Sequence, residues 1–357
     1  MLGIISNRLL SACLMMLAIS VVAFILIQLP PGDFVDSYVN HKQQGGVTMT
    51  QDEVAQMRSV LGLDRPMYVQ YFDWVGRIVR GDLGFSWEYH RPVSEVIGER
   101  LPLTMMLAFT TLVFTYVLAI PIGIYSAVRQ YSLADNTFTV IGYIGLATPN
   151  FMFALVLLYL AHVFFGTSAG GLFSPEFQDA AWSWPRFVNL LAHLWVPVLV
   201  LGTAGTAFQI RTMRAMLLDE LNKLYVTAAR ASGLSEIRLL LKYPVRVAIN
   251  PIISTIGWEL TNIISGAPIV GIVLSLPDTG PLFVDSLLNS DLYLAGALIL
   301  IYCGLVIIGT LISDLLLVAL DPRIRMGGKS SWCFTRHIIL KYTPQFLVFC
   351  YRSSGLR

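Results

Sequence analysis

The chain of 357 residues is poor in charge and in cysteine. Only 13% of its residues are charged and 55% are hydrophobic, which is more apolar side chain than a soluble core of this size can bury. The net charge of +2 gives no reason to expect nucleic acid as a partner. The four cysteines lack both metal-ligand spacing and the pattern of a disulfide framework. These deficits predict a membrane protein for which lipid is part of the solvent.

Common enzyme signatures are also missing. The sequence has no GxxxxGK phosphate-binding loop, no HExxH zinc motif and no GxSxG nucleophile elbow. Its 28 glycines are typical of close helix packing in a membrane and do not indicate a nucleotide site. We therefore expect no cofactor or metal in this chain. If ATP is used, another chain supplies the ATPase.

Apolar stretches of about 20 residues, the length that crosses a bilayer as a helix, recur along the chain. They cover residues 9–29, 103–127, 138–165, 190–210, 249–275 and 292–320. The first stretch is too long for the core of a signal peptide and is expected to be retained. Prolines within the later stretches predict kinks. The pattern predicts an all-α membrane protein with six transmembrane helices.

The distribution of Lys and Arg predicts the orientation, because basic residues in short loops resist translocation. The loop 211–248 and the segment after residue 320 are rich in basic residues. By contrast, residues 166–189 contain only Arg186, and residues 276–291 contain no basic residue. The loop and both termini are therefore expected to be cytoplasmic.

This orientation divides the chain into parts. Residues 1–8 form a cytoplasmic N-terminus and residues 30–100 a sizeable extracytoplasmic segment. Residues 101–327 form the transmembrane core, and residues 328–357 form a cytoplasmic tail to which we assign no role.

The extracytoplasmic segment is long enough to fold. Thr50 precedes Asp52 and Glu53, which predicts a capped amphipathic helix over residues 50–61. The segment either caps the helix bundle or contacts a receptor protein directly, and the sequence leaves both readings open.

Glu259 lies in the middle of an apolar run, where a charge is costly and needs a reason. With Asn262 and Ser265 it forms a polar stripe that suits a bundle interior or an aqueous path. The stripe predicts either a translocation role or a carboxyl group that holds two helices together.

Two further ionisable residues lie in or beside apolar runs. Asp314 is expected to pair with Arg323 or Arg325, and His193 is expected at the membrane interface. A membrane-embedded enzyme is an alternative function, but it would require His193, Asp314 and Glu259 to converge.

The strongest local signal lies in the loop 211–248. Residues 221–235 predict a helix closed by Gly233, and a second helical stretch follows from Glu236 to Tyr243. A loop helix with an apolar face beside basic residues either lies on the membrane or docks into another protein. Small side chains such as Ala228 and Ala229 favour docking, because they let a partner approach the backbone. A passive channel would not need such a helix.

This loop resembles the EAA motif of permease subunits in binding-protein-dependent ABC importers, in which Glu-Ala-Ala is followed by three residues and Gly. Thr227, Ala228, Ala229 and Gly233 occupy the pattern, with Thr in place of Glu. The Leu-Pro that often follows in sugar permeases is replaced by Val245-Arg246. With these departures the loop is similar to that of the dipeptide and oligopeptide permease family.

Other blocks resemble that family in the same order, and the similarity covers roughly residues 1–327. The blocks are Leu29–Asp33, Leu61–Pro66, Gly81–Ser86, Glu99–Thr104 and Leu320–Arg325. The resemblance implies a type I ABC importer permease fold in the plasma (inner) membrane of a bacterium or archaeon.

The resemblance also implies partners and roles. The partners are a second related permease, two ATPase subunits that bind ATP and magnesium, and an extracytoplasmic substrate-binding protein. The residues implied in coupling to the ATPase are Thr227, Ala228, Ala229, Arg230, Gly233 and Leu234. The translocation path would include Glu259, Asn262 and Ser265. The implied cargo is di- or oligopeptides, with oligosaccharides or nickel complexes as alternatives.

Overall fold

A computed structural model describes most of the chain. The residues that it describes are 2–28, 35–36, 38–39, 43, 49–62, 64–86, 88–165, 170–177, 180–181, 183–289 and 291–320. The predicted tail 328–357 lies outside them, as do Arg323 and Arg325, the predicted partners of Asp314.

The described residues are mainly helical. The helices before the long loop are α1 (Leu2–Gln28), α2 (Gln51–Leu61), α3 (Met67–Val79), α4 (Val93–Val128), α5 (Leu133–Ala147), α6 (Asn150–Phe165) and α7 (Trp184–Leu221). Those that follow are α8 (Leu224–Ala231), α9 (Glu236–Lys242), α10 (Pro244–Ser254), α11 (Ile256–Val273), α12 (Thr279–Leu288) and α13 (Leu292–Leu320). Strands β1 (Phe85–Ser86) and β2 (Arg91–Pro92) form an antiparallel hairpin. A single 3₁₀ turn spans Pro175–Phe177.

Four helices in the described part of the chain are long and apolar enough to cross a membrane, namely α4, α7, α11 and α13. Helices α5 and α6 pass the same test only as a pair, and the pair is bent by 107°. The described part of α1 contributes a shorter apolar stretch, Leu10–Ile25. The helical, multi-span membrane class predicted from the sequence is therefore confirmed, with four or five spans by this criterion.

Two stretches that were each predicted as one span are divided. The stretch 138–165 breaks at Thr148, whose φ of −88° and ψ of 123° are extended because Pro149 follows it. The stretch 249–275 breaks at Thr255, between α10 and α11, where the Thr255 hydroxyl donates to the Ile252 carbonyl at 2.6 Å. A side chain that bonds to a nearby carbonyl in this way competes with regular helix geometry.

Other prolines are accommodated inside continuous helices. Pro121 lies within α4, Pro197 within α7 and Pro268 within α11. Neighbouring helices in a bundle can satisfy the backbone groups that such prolines leave free.

The core of the bundle forms where α4 and α7 pack together along their lengths, joined by α6 and α11. Fully buried residues there include Leu107 on α4 and Val200 on α7. Helix α13 packs against both α1 and α11. We call the end of the bundle that carries α8 and α9 the α8 end, and the opposite end, with β1, β2 and α12, the hairpin end.

The segment between α1 and α4 docks onto the bundle. Helix α2 begins with the predicted cap, since Thr50 and Glu53 form a reciprocal capping box. In α3, Trp74 is 2% exposed and packs with Phe24 of α1 and Leu300 of α13. Gly296 provides the space, because a Cβ atom there would lie 2.6 Å from the Trp74 ring.

Candidate functional site

Helices α8 and α9 form a projecting pair that is anchored by one buried side chain in each. Val226 of α8 and Leu239 of α9 are fully buried. Leu224, at the start of α8, is 87% exposed, and Ile237 of α9 is 74% exposed. The pair therefore turns apolar side chains both into the protein and toward whatever surrounds it.

The turn between α8 and α9 depends on Gly233. Its φ of 79° lies in the left-handed region, where a side chain other than that of glycine is strained. Across this turn the Arg230 guanidinium donates to both carboxylate oxygens of Glu236, at 2.7 and 3.2 Å. The Arg230 side chain lowers the pKa of the Glu236 carboxyl through this hydrogen bond. The predicted glycine cap is confirmed, and an exposed ion pair spans the turn between the two helices.

Glu220, which was not singled out from the sequence, joins α7 to α8. It lies at the end of α7 and is 8% exposed. The Tyr225 hydroxyl donates to its Oε2 at 2.5 Å, and the Lys223 ammonium donates to its Oε1. Burial and the Glu220 carboxylate together raise the pKa of Tyr225. The sequence did contain a signal at this helix junction: an acidic residue, Glu220, lies three positions before Lys223 and five positions before Tyr225.

The predicted coupling residues are accessible. Thr227, Ala228, Arg230 and Gly233 are exposed, and Ala229 and Leu234 are half-buried. The α8–α9 pair thus offers a surface of small side chains with Leu224 and Ile237 beside it, which is suited to seating in a groove of another protein.

The predicted polar stripe of α11 faces two directions. Glu259 is 3% exposed, and its Oε1 accepts from Gln209 Nε2 of α7 at 3.0 Å. Asn262 and Ser265 are exposed on the surface of α11, where the Ser265 hydroxyl donates to the Asn262 carbonyl at 3.2 Å. The stripe therefore runs from the bundle interior to the surface.

The three ionisable residues of the enzyme alternative do not all converge. His193 bonds to the Asn189 carbonyl within α7 at 2.8 Å. It precedes Gln209, the partner of Glu259, by 16 residues of one continuous helix, or about 24 Å of helix length. Asp314 is half-buried on α13. No cluster of His, Cys, Asp and Glu that could hold a metal occurs among the described residues.

Two buried acids at the hairpin end were missed as site residues. Asp278 is fully buried and caps α12, with its Oδ1 accepting from the Gly280 N–H at 3.3 Å. Burial raises the pKa of Asp278 to about 7. Asp291, before α13, accepts from the Ser86 hydroxyl at 2.6 Å, and burial raises its pKa as well. Each stands directly before a helix, a cap signal that was visible in the sequence.

Comparison with known families covers nearly all of the described chain. Residues 119–326 match the family described as binding-protein-dependent transport system inner membrane component. Residues 1–108 match the N-terminal region described for membrane components of the same transport systems.

Individual relatives are similar over almost their whole length. A putative peptide permease protein of Brucella ovis is 35% identical over 322 residues, which cover 90% of this chain and 98% of the relative. The oligopeptide transport system permease protein AppB of Bacillus subtilis is 35% identical over 324 residues, covering 90% of this chain and 98% of the relative. The nickel import system permease protein NikB of Staphylococcus aureus is 30% identical over 327 residues, covering 91% and 93%.

Proposed function

This chain belongs to the family of binding-protein-dependent transport system inner membrane components, and from that premise we propose that it imports di- or oligopeptides delivered by an extracytoplasmic binding protein. As a member, it is a permease subunit of an ABC importer, and ATP hydrolysis falls to a separate partner chain. The peptide assignment is supported by the Brucella and Bacillus relatives, which are described as peptide and oligopeptide permeases.

The observation that carries the proposal is the α8–α9 pair. Its predicted contact residues are exposed while Val226 and Leu239 anchor it, so it can transmit a push from a partner to α7 and α10. Rigid displacement of a packed element is a common way to couple two assemblies. We assign α8 as the coupling helix and the ATPase subunits as its partner. These subunits bind ATP and magnesium outside this chain.

The proposed topology has six spans, with α1 and the bent α5–α6 pair joining α4, α7, α11 and α13. The basic residues of the loop 211–248 support a cytoplasmic location for the α8 end, and with it for both termini. The hairpin end and the segment 30–100 then face the binding protein. The membrane is the plasma (inner) membrane of a bacterium or archaeon, and a second related permease completes the pore.

The proposed translocation path follows the exposed face of α11, which carries Asn262 and Ser265 together with the apolar Trp258, Ile269 and Ile272. Asn262 and Ser265 are exposed on a helix whose other surfaces pack in the bundle. Glu259 lies behind them in the bundle interior, where its carboxyl group accepts from Gln209 of α7. The second permease would cover the opposite side of the path.

A second cargo, nickel complexes, is favoured by one observation. The NikB relative is described as a nickel import permease and is 30% identical over nearly the whole chain. The selecting component is the binding protein, so the permease discriminates poorly between these cargoes.

The test is reconstitution of the complex. The permease is co-expressed with a second permease and the ATPase subunits, purified by a tag on this chain, and placed in liposomes with the binding protein. We expect ATP hydrolysis that rises with the loaded binding protein, together with uptake of labelled di- or oligopeptides. Uptake of ⁶³Ni²⁺ without peptide uptake would change the assigned cargo from peptides to nickel. A tagged chain that retains no ATPase subunit would contradict the proposal.

A further inference from the structure

The two chain segments that connect α8 and α9 to the membrane meet again in the middle of the bundle. Helix α7 leads into α8, and α10 leads from α9 into α11. The two segments pack against each other, with Met213 and Leu217 of α7 fully buried near Ile252 of α10. One turn before Met213 on α7, Gln209 makes a polar contact with the junction of α10 and α11.

Gln209 connects α7 to both sides of that junction. It is fully buried, and its Nε2 donates to the Thr255 hydroxyl at 2.8 Å and to Glu259 Oε1 at 3.0 Å. The Tyr116 hydroxyl of α4 lies 3.2 Å from the same Thr255 hydroxyl. Gln209 Oε1 has no partner among the described residues. The amide is therefore oriented by its two acceptors on α10–α11.

The backbone of α7 is shaped to receive Glu259. Gly205 lies one helical turn before Gln209, on the same face of α7. A Cβ atom at Gly205 would lie 2.8 Å from Glu259 Oε2. Gly205 thus leaves room for the carboxyl group and Gln209, the next residue on that face, binds it, so the carboxyl group of α11 is held against α7.

Burying this group costs free energy that apolar packing would not cost. A carboxyl among amide and hydroxyl groups adds little net stability over well-packed leucine, but it fixes the register of the helices that it joins. The position of the bond matters here because Thr255 interrupts the helix on the path from α9 to α11. Without a cross-link to α7, that interruption could absorb a displacement of α8 and α9.

We propose that Glu259 is a positioning residue that clamps α11 to α7 through Gln209, so that displacement of α8 moves the Asn262 and Ser265 face of α11 instead of bending the chain at Thr255. This inference rests on the proposed function of α8 as the coupling helix. The clamp acts on the helices and does not require Glu259 to touch the cargo.

The experiment compares transport per ATP hydrolysed in the reconstituted complex. Glu259→Gln keeps an oxygen that accepts from Gln209, whereas Glu259→Leu removes the bond, as does Gln209→Leu from the other side. Thr261→Val is the matched control, because the Thr261 hydroxyl bonds only within α11, to the Gly257 carbonyl at 3.0 Å. The double variant Gln209→Leu/Glu259→Leu removes both polar side chains of the clamp together, so neither is left buried without the other, and it guards against simple misfolding.

We expect Glu259→Leu, Gln209→Leu and the double variant to lower the ratio of transported peptide to hydrolysed ATP by about fivefold or more, with basal ATP hydrolysis retained. Glu259→Gln and Thr261→Val should keep the wild-type ratio. An assembled double variant with a normal ratio would overturn the clamp, because a purely structural role changes the yield of complex and not its coupling. A Glu259→Gln ratio as low as that of Glu259→Leu would overturn it as well, since charge would then matter and not the bond. Wild-type complex without any stimulated hydrolysis would instead refute the proposed function.

Discussion

Arg214 donates two parallel hydrogen bonds to Asp135, which lies 79 residues earlier in the sequence. The Arg214 Nε donates to Oδ1 at 3.1 Å and its terminal nitrogen to Oδ2 at 3.0 Å. The Asp135 side chain is 2% exposed and that of Arg214 is 29% exposed. The backbone N–H of Tyr131 also donates to Asp135, at 3.0 Å. The turn after α4 is thereby tied to the half of α7 that leads to α8.

The first prediction concerns this ion pair. Arg214→Leu leaves a buried carboxylate without its counter-charge, which we expect to lower the free energy of unfolding by about 3–5 kcal/mol. Asp135→Asn leaves a cation that can reach solvent and should cost less. The double variant Asp135→Asn/Arg214→Leu should recover much of the loss. Thermal unfolding in detergent measures all three, and equal losses for the two single variants would contradict the asymmetry.

The second prediction distinguishes two effects of a substitution at Gly233, namely strain in the backbone and charge on the docking surface. No atom of the described residues lies within 4 Å of a Cβ built there, so within this part of the chain a substitution is opposed by the positive φ alone. Asn tolerates this conformation and should retain the ATPase subunit on purification, whereas Val should distort the turn at a cost of about 1–2 kcal/mol. Gly233→Asp matches Asn in shape but places a charge on the docking surface, so we expect it to lose the ATPase and uptake while still inserting into the membrane. Retention of the ATPase by the Asp variant would refute the assignment of α8 as the coupling helix.

The third prediction concerns the close approach of α12 to α11. A Cβ atom at Gly280 would lie 2.8 Å from Pro268 Cα and 3.0 Å from Pro268 N, both backbone atoms that cannot rotate away. We expect Gly280→Ala to destabilise the protein by about 1–3 kcal/mol. Gly98→Ala in α4 is the matched control, because no described atom lies within 4 Å of a Cβ built at Gly98, and it should be neutral or stabilising by up to about 1 kcal/mol. Similar unfolding temperatures for the two variants would contradict this packing.

The fourth prediction is a pH dependence set by Asp278. Because its pKa is raised to about 7, the folded protein holds a proton that the unfolded chain releases near its ordinary pKa of 3.8. The folded state therefore binds more protons between these values, and stability should fall by up to about 1.4 kcal/mol per unit as the pH rises from about 4 to 7. Above about pH 7 the contribution of protonated Asp278 to stability should be fully lost.

Asp278→Asn provides the measurement for this dependence. Asn keeps a helix-capping side chain but cannot ionise, so the variant should be more stable than the wild type at pH 8 and should show a smaller slope in detergent unfolding curves. A residual slope is expected from Asp291, whose pKa burial also raises. Parallel curves for wild type and Asp278→Asn would show that Asp278 is not the titrating group.

Local features of the fold could be predicted from the sequence. The Thr50 cap and the Gly233 turn involve residues within four positions of each other, so the residue types alone determine them. The apolar run 292–320 coincides with α13 because a span is defined by its own composition.

Features that depend on neighbouring helices could not be predicted. Pro121 and Pro149 look alike in an apolar run, yet only the latter marks a break, since packing decides whether a helix can continue past a proline. The bond from Gln209 to Glu259 spans 50 residues and the pair of Arg214 and Asp135 spans 79. A buried polar residue was visible in the sequence, but its partner was not. Glu220 and Asp278 are different, because their partners lie within five positions in the sequence, but only the structure shows that these acids are buried.

The docking of α1 has a consequence for the order in which the chain is made. Helix α1 is synthesised before the other described helices of the bundle, but its principal neighbour in the described structure is α13, which is synthesised after them. Trp74 likewise can pack only after α13 has been made, because its ring occupies the space left by the missing side chain of Gly296. A nascent chain that stops before Leu292 has every other described span and lacks the surface that receives α1. Helix α1 can therefore dock onto the described bundle only after α13 has been synthesised, through a contact between helices that are far apart in sequence.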